Sequence, residues 1–179
     1  LTGMTVEPVG DDQTPFLGTF NGNGHAIRNL TMDSEAASVG LFAYIGAGGR
    51  AVNIILESAD ITAEDSDNTG GIAGACAGTI ENCSVTGTIT GNGTVAGLTG
   101  RLHGGTVRNC SVNVTVTASG SVASALIGST NYGGPITSKN DETGNVVLNN
   151  LVRGTVSGED YAGAVVGDMG GSSGCPLQT

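Results

Sequence analysis

Apolar and polar residues alternate in short runs along this chain, and the runs repeat. Cys83 and Val85 fall on one side of a strand by two-residue alternation, as do Val107 and Asn109 in the next run. Ile80 and Cys83, three apart, cannot both point inward along one straight strand, so a corner is required at the intervening asparagine, Asn82. Downstream, Ile61, Ile89, Val116 and Val156 form one inward column, flanked by outward Thr62, Thr90, Thr117 and Ser157. A third apolar column is Leu41, Ile72, Leu98, Leu126 and Val165. No 3.6-residue pattern occurs anywhere, which predicts three short strands per repeat and no helix.

The repeat itself is explicit. TIENCSVTGTITGNGTVAGLTG (79–100) is followed by TVRNCSVNVTVTASGSVASALIG (106–128), and 27 residues separate Asn82 from Asn109. HAIRNLTM (25–32), RAVNIILESADIT (50–62) and VVLNNLVRGTVS (146–157) match the first half, placing Asn29, Asn53 and Asn149 in the same column as Asn82 and Asn109. Asparagine tolerates the left-handed backbone of a tight corner and can hydrogen-bond the main chain, so the column reads as a stacked turn. A period of this size means units that cannot bury their apolar faces alone. The predicted fold is all-β, a right-handed single-stranded parallel β-helix (β-solenoid) of about five coils, each rising ~4.8 Å. Residues 1–17, with two prolines and no repeat match, are expected to cap the open N-terminal end; 18–168 carry the repeats; and 169–179 read as a linker or truncated coil.

GTFNGNGHAIRNLTM (18–32), then VGLF, then GTIENCSVTGTITG with GLTG after it, resembles the GLUG-motif repeat family of bacterial surface proteins, named for a Gly-Leu-any-Gly tetrapeptide. Gly97-Leu98-Thr99-Gly100 fits in full and Gly71-Ile72-Ala73-Gly74 conservatively, whereas the outer copies lose one glycine each. The resemblance covers roughly residues 6–168. It implies an extracellular or cell-surface repeat region of a larger secreted or anchored protein, adhesin-like, whose partner is a host glycan or a host or bacterial surface protein. The repeats of that family are not known for catalysis.

Composition changes the picture only at its edges. The 32 glycines, the 3% aromatic content and the lack of tryptophan suit thin, tightly turned coils. Six Lys and Arg against 16 Asp and Glu give a formal charge of −10, which disfavours nucleic acid and direct binding to an anionic membrane. The longest apolar run is far short of the roughly 18 residues of a membrane span, so direct membrane insertion is not expected. Leu1 opens the chain with a repeat close behind it, and the sequence reads as a piece of a longer chain or a processed one.

Few residues offer chemistry. Asp60, Glu64, Asp65 and Asp67 cluster between the second and third copies and are the candidate Ca²⁺ ligands; their spacing does not match the EF-hand loop, and a solvated acidic turn is the plainer reading. No other cofactor is indicated. Cys83 and Cys110 occupy one column, within disulfide reach, but parallel side chains make the torsion awkward, and two buried thiols are expected. The insertion 131–145 holds Tyr132, Lys139, Asp141 and Glu142, the candidate binding residues, on a loop that is equally well a tolerated surface insertion.

A ladder of Thr88 and Thr90, Thr115 and Thr117, and Thr155 and Ser157 offers a second glycan-binding surface, but β-propensity on a solvent face explains it better, and, with three Tyr and no Trp, aromatics for stacking on sugars are scarce. Parallel β-helices also include polysaccharide lyases and hydrolases, but no column here gathers acids with a His or Arg, and no catalytic residues are assigned. The expectation is a non-catalytic adhesion or stalk module.

Overall fold

The computed structural model describes residues 6–130, 136–137 and 144–169. Among them there are only strands, and every strand pairing is parallel.

The chain winds through four sheets in a fixed order. It enters the first at Thr19–Asn21, and returns to it at Arg50–Val52, Thr79–Glu81, Thr106–Arg108 and Asn145–Leu148, against which Ile136–Thr137 also pairs. The second sheet holds the long strands Ile55–Ala63, Ser84–Gly91, Ser111–Ala118 and Leu151–Gly158, with Ala26–Arg28 and Thr31–Asp33 side by side against the first of them. The third is built of short pieces, Ser38–Val39, Asn68–Gly70, Thr94–Ala96, Val122–Ser124 and Tyr161–Gly163. Phe42–Ile45, Ala73–Cys76, Thr99–Leu102, Ile127–Thr130 and Val166–Asp168 make the fourth. Four full turns separate Thr19–Asn21 from Asn145–Leu148, and the chain then runs on through the remaining sheets to Asp168. The molecule is a parallel β-solenoid of about four turns, slightly shorter than the five coils expected.

Each turn has four strands where three were predicted. The additional corner lies between the third and fourth sheets, at the Gly-Leu-any-Gly tetrapeptide. A third-sheet strand is only two or three residues long and runs directly into the tetrapeptide, so residue parity alone merges the two.

The predicted columns stack in register. Ile61, Ile89, Val116 and Val156 are successive partners in the second sheet, and the first three are fully buried. Ile72, Leu98 and Leu126 are likewise fully buried, tied through the backbone by Ile72 N–H to the Leu98 carbonyl at 2.9 Å and Leu98 N–H to the Leu126 carbonyl at 3.1 Å. Together they form one continuous core from Leu30 to Ile127.

The register also moves one residue. Arg28 pairs with Glu57, so Asn29 abuts Ser58, and both have positive φ, 53° and 55°. Ser58 lies in a bulge where the register slips between Val85 and Gly87. Asn29 therefore does not belong to the corner column of Asn53, Asn82, Asn109 and Asn149. Asn21 pairs with Val52, which leaves Gly22 opposite Asn53 in the first turn. The first turn carries extra residues at that corner, Gly22 to His25, and these displace the next asparagine along the chain.

At the N-terminal side, Val9 and Phe16 bridge to Phe42 and Ile45 in parallel, and the Phe16 ring centre lies 4.8 Å from that of Phe42.

Candidate functional site

The corner asparagines do what their type allows. Asn53, Asn82, Asn109 and Asn149 share φ values of 54° or 55°, in the left-handed region that costs a residue without a local hydrogen-bonding side chain roughly 1–2 kcal/mol. Their carboxamides also link turns: Asn53 Nδ2 donates to Asn21 Oδ1 at 3.0 Å, and Asn82 Nδ2 donates to Asn53 Oδ1 at 3.3 Å.

The residue after each corner points inward, giving the column Ile54, Cys83, Cys110 and Asn150. Cys83 and Cys110 are both free thiols and 2% exposed. Their S–H groups lie near backbone carbonyls, with Cys83 Sγ 3.3 Å from the Glu81 oxygen and Cys110 Sγ 3.3 Å from that of Arg108. The neighbouring Cys83 thiol, and then burial, push Cys110 up; the neighbouring Cys110 thiol draws Cys83 down. Cys76, wholly buried in the fourth sheet, is pushed up to about 12 by burial.

Asn150 closes the column, and sequence reasoning missed it. Its Oδ1 accepts the Cys110 N–H at 2.9 Å and its Nδ2 donates to the Val107 carbonyl at 3.2 Å, so it joins the last two turns from inside. The signal was the doublet Asn149-Asn150, which puts a carboxamide where other copies have Ile or Cys. Asn145 was missed too: it is 2% exposed, and its Oδ1 accepts from the Gly104 and Gly105 N–H groups at 2.7 and 3.3 Å.

The tetrapeptide glycines answer to close approach. A Cβ on Gly97 would sit 2.1 Å from the Ala125 carbonyl oxygen of the next turn, and one on Gly100 would sit 2.7 Å from the Thr69 nitrogen of the preceding turn. Leu98 between them projects into the core. The motif is thus a corner at which backbones touch above and below while one large side chain fills the centre.

The outer face of the second sheet is a hydroxyl ladder. Thr88, Thr115 and Thr155 are successive partners, as are Thr62, Thr90, Thr117 and Ser157; Thr31 and then Asp60 precede the first column and Asp33 heads the second. On the first sheet Glu81 Oε2 bridges Arg50 at 3.1 Å and Arg108 at 2.8 Å across three turns, and on the second Arg28 meets Glu57 at 2.6 Å.

The four candidate Ca²⁺ ligands do not converge. Asp60 stands on the strand Ile55–Ala63 facing outward, and Glu64 and Asp65 are exposed in the turn, where Glu64 Oε2 accepts from Ser119 Oγ at 3.4 Å. Asp67 lies beyond them, its N–H on the Ala37 carbonyl and its own carbonyl taken by Thr94 N–H at 2.9 Å. Among the described residues no three His, Cys, Asp or Glu side chains come together in a way that could hold a metal ion. Tyr132, Lys139, Asp141 and Glu142 lie outside the described residues.

Comparison with known proteins gives three findings. The family described as the GLUG motif matches residues 65–90. Halomucin of Haloquadratum walsbyi is 40% identical over 102 residues, which is 55% of this chain and 1% of that protein. A protein of Evansella cellulosilytica described as a Gly-rich membrane protein is 35% identical over 85 residues, 46% of this chain and 10% of its own length. The chain thus spans only a small fraction of these relatives. No solved structure matches it significantly. Residues 65–90 run from the acidic turn through Gly71 to Gly74 and the Asn82 corner into the long strand, and over that span the repeat array matches the GLUG motif.

Proposed function

We propose that this chain is a non-catalytic β-solenoid module of a secreted or cell-surface protein, serving as an adhesion element or stalk. The observation that carries the reading is the in-register stacking of the inward columns from one turn to the next, which resumes after the bulge at Ser58 and is closed at the corners by asparagine side chains. Such a stack is a rigid spacer whose length grows by about 4.8 Å per turn, with carboxamide and ion-pair contacts of Asn53, Asn82 and Glu81 joining neighbouring turns. The names of the relatives, a halomucin and a membrane protein, support a surface location. A right-handed winding agrees with the general preference of parallel β crossovers.

The test is an array of glycans and surface proteins probed with the 179-residue chain, with Ca²⁺ and with chelator, beside a polysaccharide-cleavage screen. Saturable binding without cleavage is the outcome for an adhesion element, and loss in chelator would assign a metal to it. Silence in both assays is the outcome for a passive stalk. Cleavage of any polysaccharide would overturn the non-catalytic reading.

A further inference from the structure

One groove stands apart from the repeat's own stacking. It has a volume of about 560 Å³ and lies between the N-terminal segment and the outer face of the fourth sheet, within the roughly 300–1,000 Å³ of small-molecule sites. Its floor is a column of that sheet: Tyr44, Ala75 and Arg101 are successive partners. The alanine leaves a gap between the phenol ring and the guanidinium, whose backbones are two rungs, roughly 10 Å, apart. Asp67 and Asn68 reach it from the third sheet, Asp11 and Asp12 from the N-terminal segment, and His103 from two residues beyond Arg101.

The electrostatics narrow the occupant. Glu7, Asp11, Asp12 and Asp67 face the groove against Arg101 and His103, in a chain of net charge −10, so an anionic ligand is repelled. Asp11 is held charged by the Thr14 backbone N–H, then the Thr14 hydroxyl. Arg101 Nε is buried without a hydrogen-bond partner among the described residues, and none of the three ion pairs found there includes Arg101. A buried donor in that condition costs about 1–3 kcal/mol until something accepts from it; Arg108 Nε is in the same condition, but the Arg108 and Arg50 side chains each pair with Glu81 through Nη2, and Arg101 has no ion pair among the described residues. A ring for an apolar face, an unpaired donor and carboxylate acceptors from two different segments match a flat molecule with an apolar face and a rim of hydroxyls.

We propose that this groove binds one or two units of a neutral saccharide. The sugar's C–H face lies on Tyr44 over Ala75, Arg101 donates to a ring or hydroxyl oxygen, and Asp67 and the Asp11 side accept from hydroxyls. The inference is independent of the stalk reading: an empty groove leaves the solenoid a spacer, whereas an occupied one gives it a recognition site away from both the 131–145 loop and the threonine ladder.

Saturation-transfer NMR on the full 179-residue chain tests it, with cellobiose, maltose and lactose as neutral probes and sialyllactose as the acidic comparison. The expected result is transfer to at least one neutral disaccharide at millimolar concentration, with the apparent Kd raised roughly tenfold or more in Tyr44→Ala and in Arg101→Gln. Thr115→Ala, on the second sheet, should leave it unchanged. In the unsubstituted protein the same sugar should shift the ring-proton signals of Tyr44 and His103, a readout that survives if a variant fails to fold. No transfer from any neutral probe, transfer that persists in both variants, ring signals that do not move, or a preference for sialyllactose would each overturn the proposal.

Discussion

Replacing Leu98 by alanine strikes the centre of the motif and can be weighed from the structure. Leu98 is fully buried, with Ile72 in the turn before and Leu126 in the turn after. Deleting three carbons forfeits about 2.4 kcal/mol of transfer free energy at roughly 0.8 per methylene. A cavity term is added because the site cannot close: backbone hydrogen bonds of 2.9 and 3.1 Å hold the rungs on both sides at fixed separation. The total should be about 3–5 kcal/mol, a large part of the roughly 5–15 kcal/mol that holds a domain together. Equilibrium urea unfolding followed by far-ultraviolet circular dichroism reads it as a midpoint lowered by roughly 1–2 M at an unchanged slope. Leu151→Ala is the reference, since Leu151 is 53% exposed on the outer face of the last long strand, and should cost less than about 1 kcal/mol. A Leu98→Ala loss that matches the reference, or falls below about 1 kcal/mol, would refute the argument that the column carries the fold.

Three further outcomes follow from the same contacts. Asn82→Ala should destabilise by about 1–2 kcal/mol through its left-handed corner, and Asn82→Gly by clearly less, in the same urea assay; equal losses would remove backbone strain as the cause. Asn150→Ala strands the Cys110 N–H and the Val107 carbonyl and should cost about 1–3 kcal/mol, with faster amide exchange at Cys110 as its local signature. The three described thiols, Cys76, Cys83 and Cys110, should resist alkylation at pH 8 until denaturant is added, as mapped by mass spectrometry. Because burial raises Cys76 from 9.0 to about 12, its contribution is intact below the ordinary thiol value and is lost as pH climbs from there toward 12. Alkaline destabilisation in that window should be shallower in Cys76→Ala.

The arrangement of polar groups explains why the candidate sites fared differently. The acidic run 58–71 is compact in sequence, yet a strand and a corner send its carboxylates in different directions, Asp60 onto the second sheet's outer face and Asp67 toward the groove. The groove itself draws on residues from 7 to 103, which no local motif links.

What the sequence determined by itself was whatever the period repeats. Identical residue types recurring at one offset imply parallel stacking, and two-residue alternation then says which side chains point inward; thus the columns of Ile89 and Leu98 were legible, as were the corners at Asn53, Asn82, Asn109 and Asn149. What tertiary structure decided were the departures from period. Asn29 moved out of the corner column because extra residues at Gly22 to His25 shift the first turn's register, and that shift is visible only when strands pair. The fourth sheet was hidden because Gly97 and Gly100 turn the chain where side chains give no parity signal, and their reason for being glycine lies in the turns above and below. Asn150 and Arg101 gained their meaning in the same way, since hydrogen bonds made or left unmade across turns are set by three-dimensional proximity, which residue order alone does not encode.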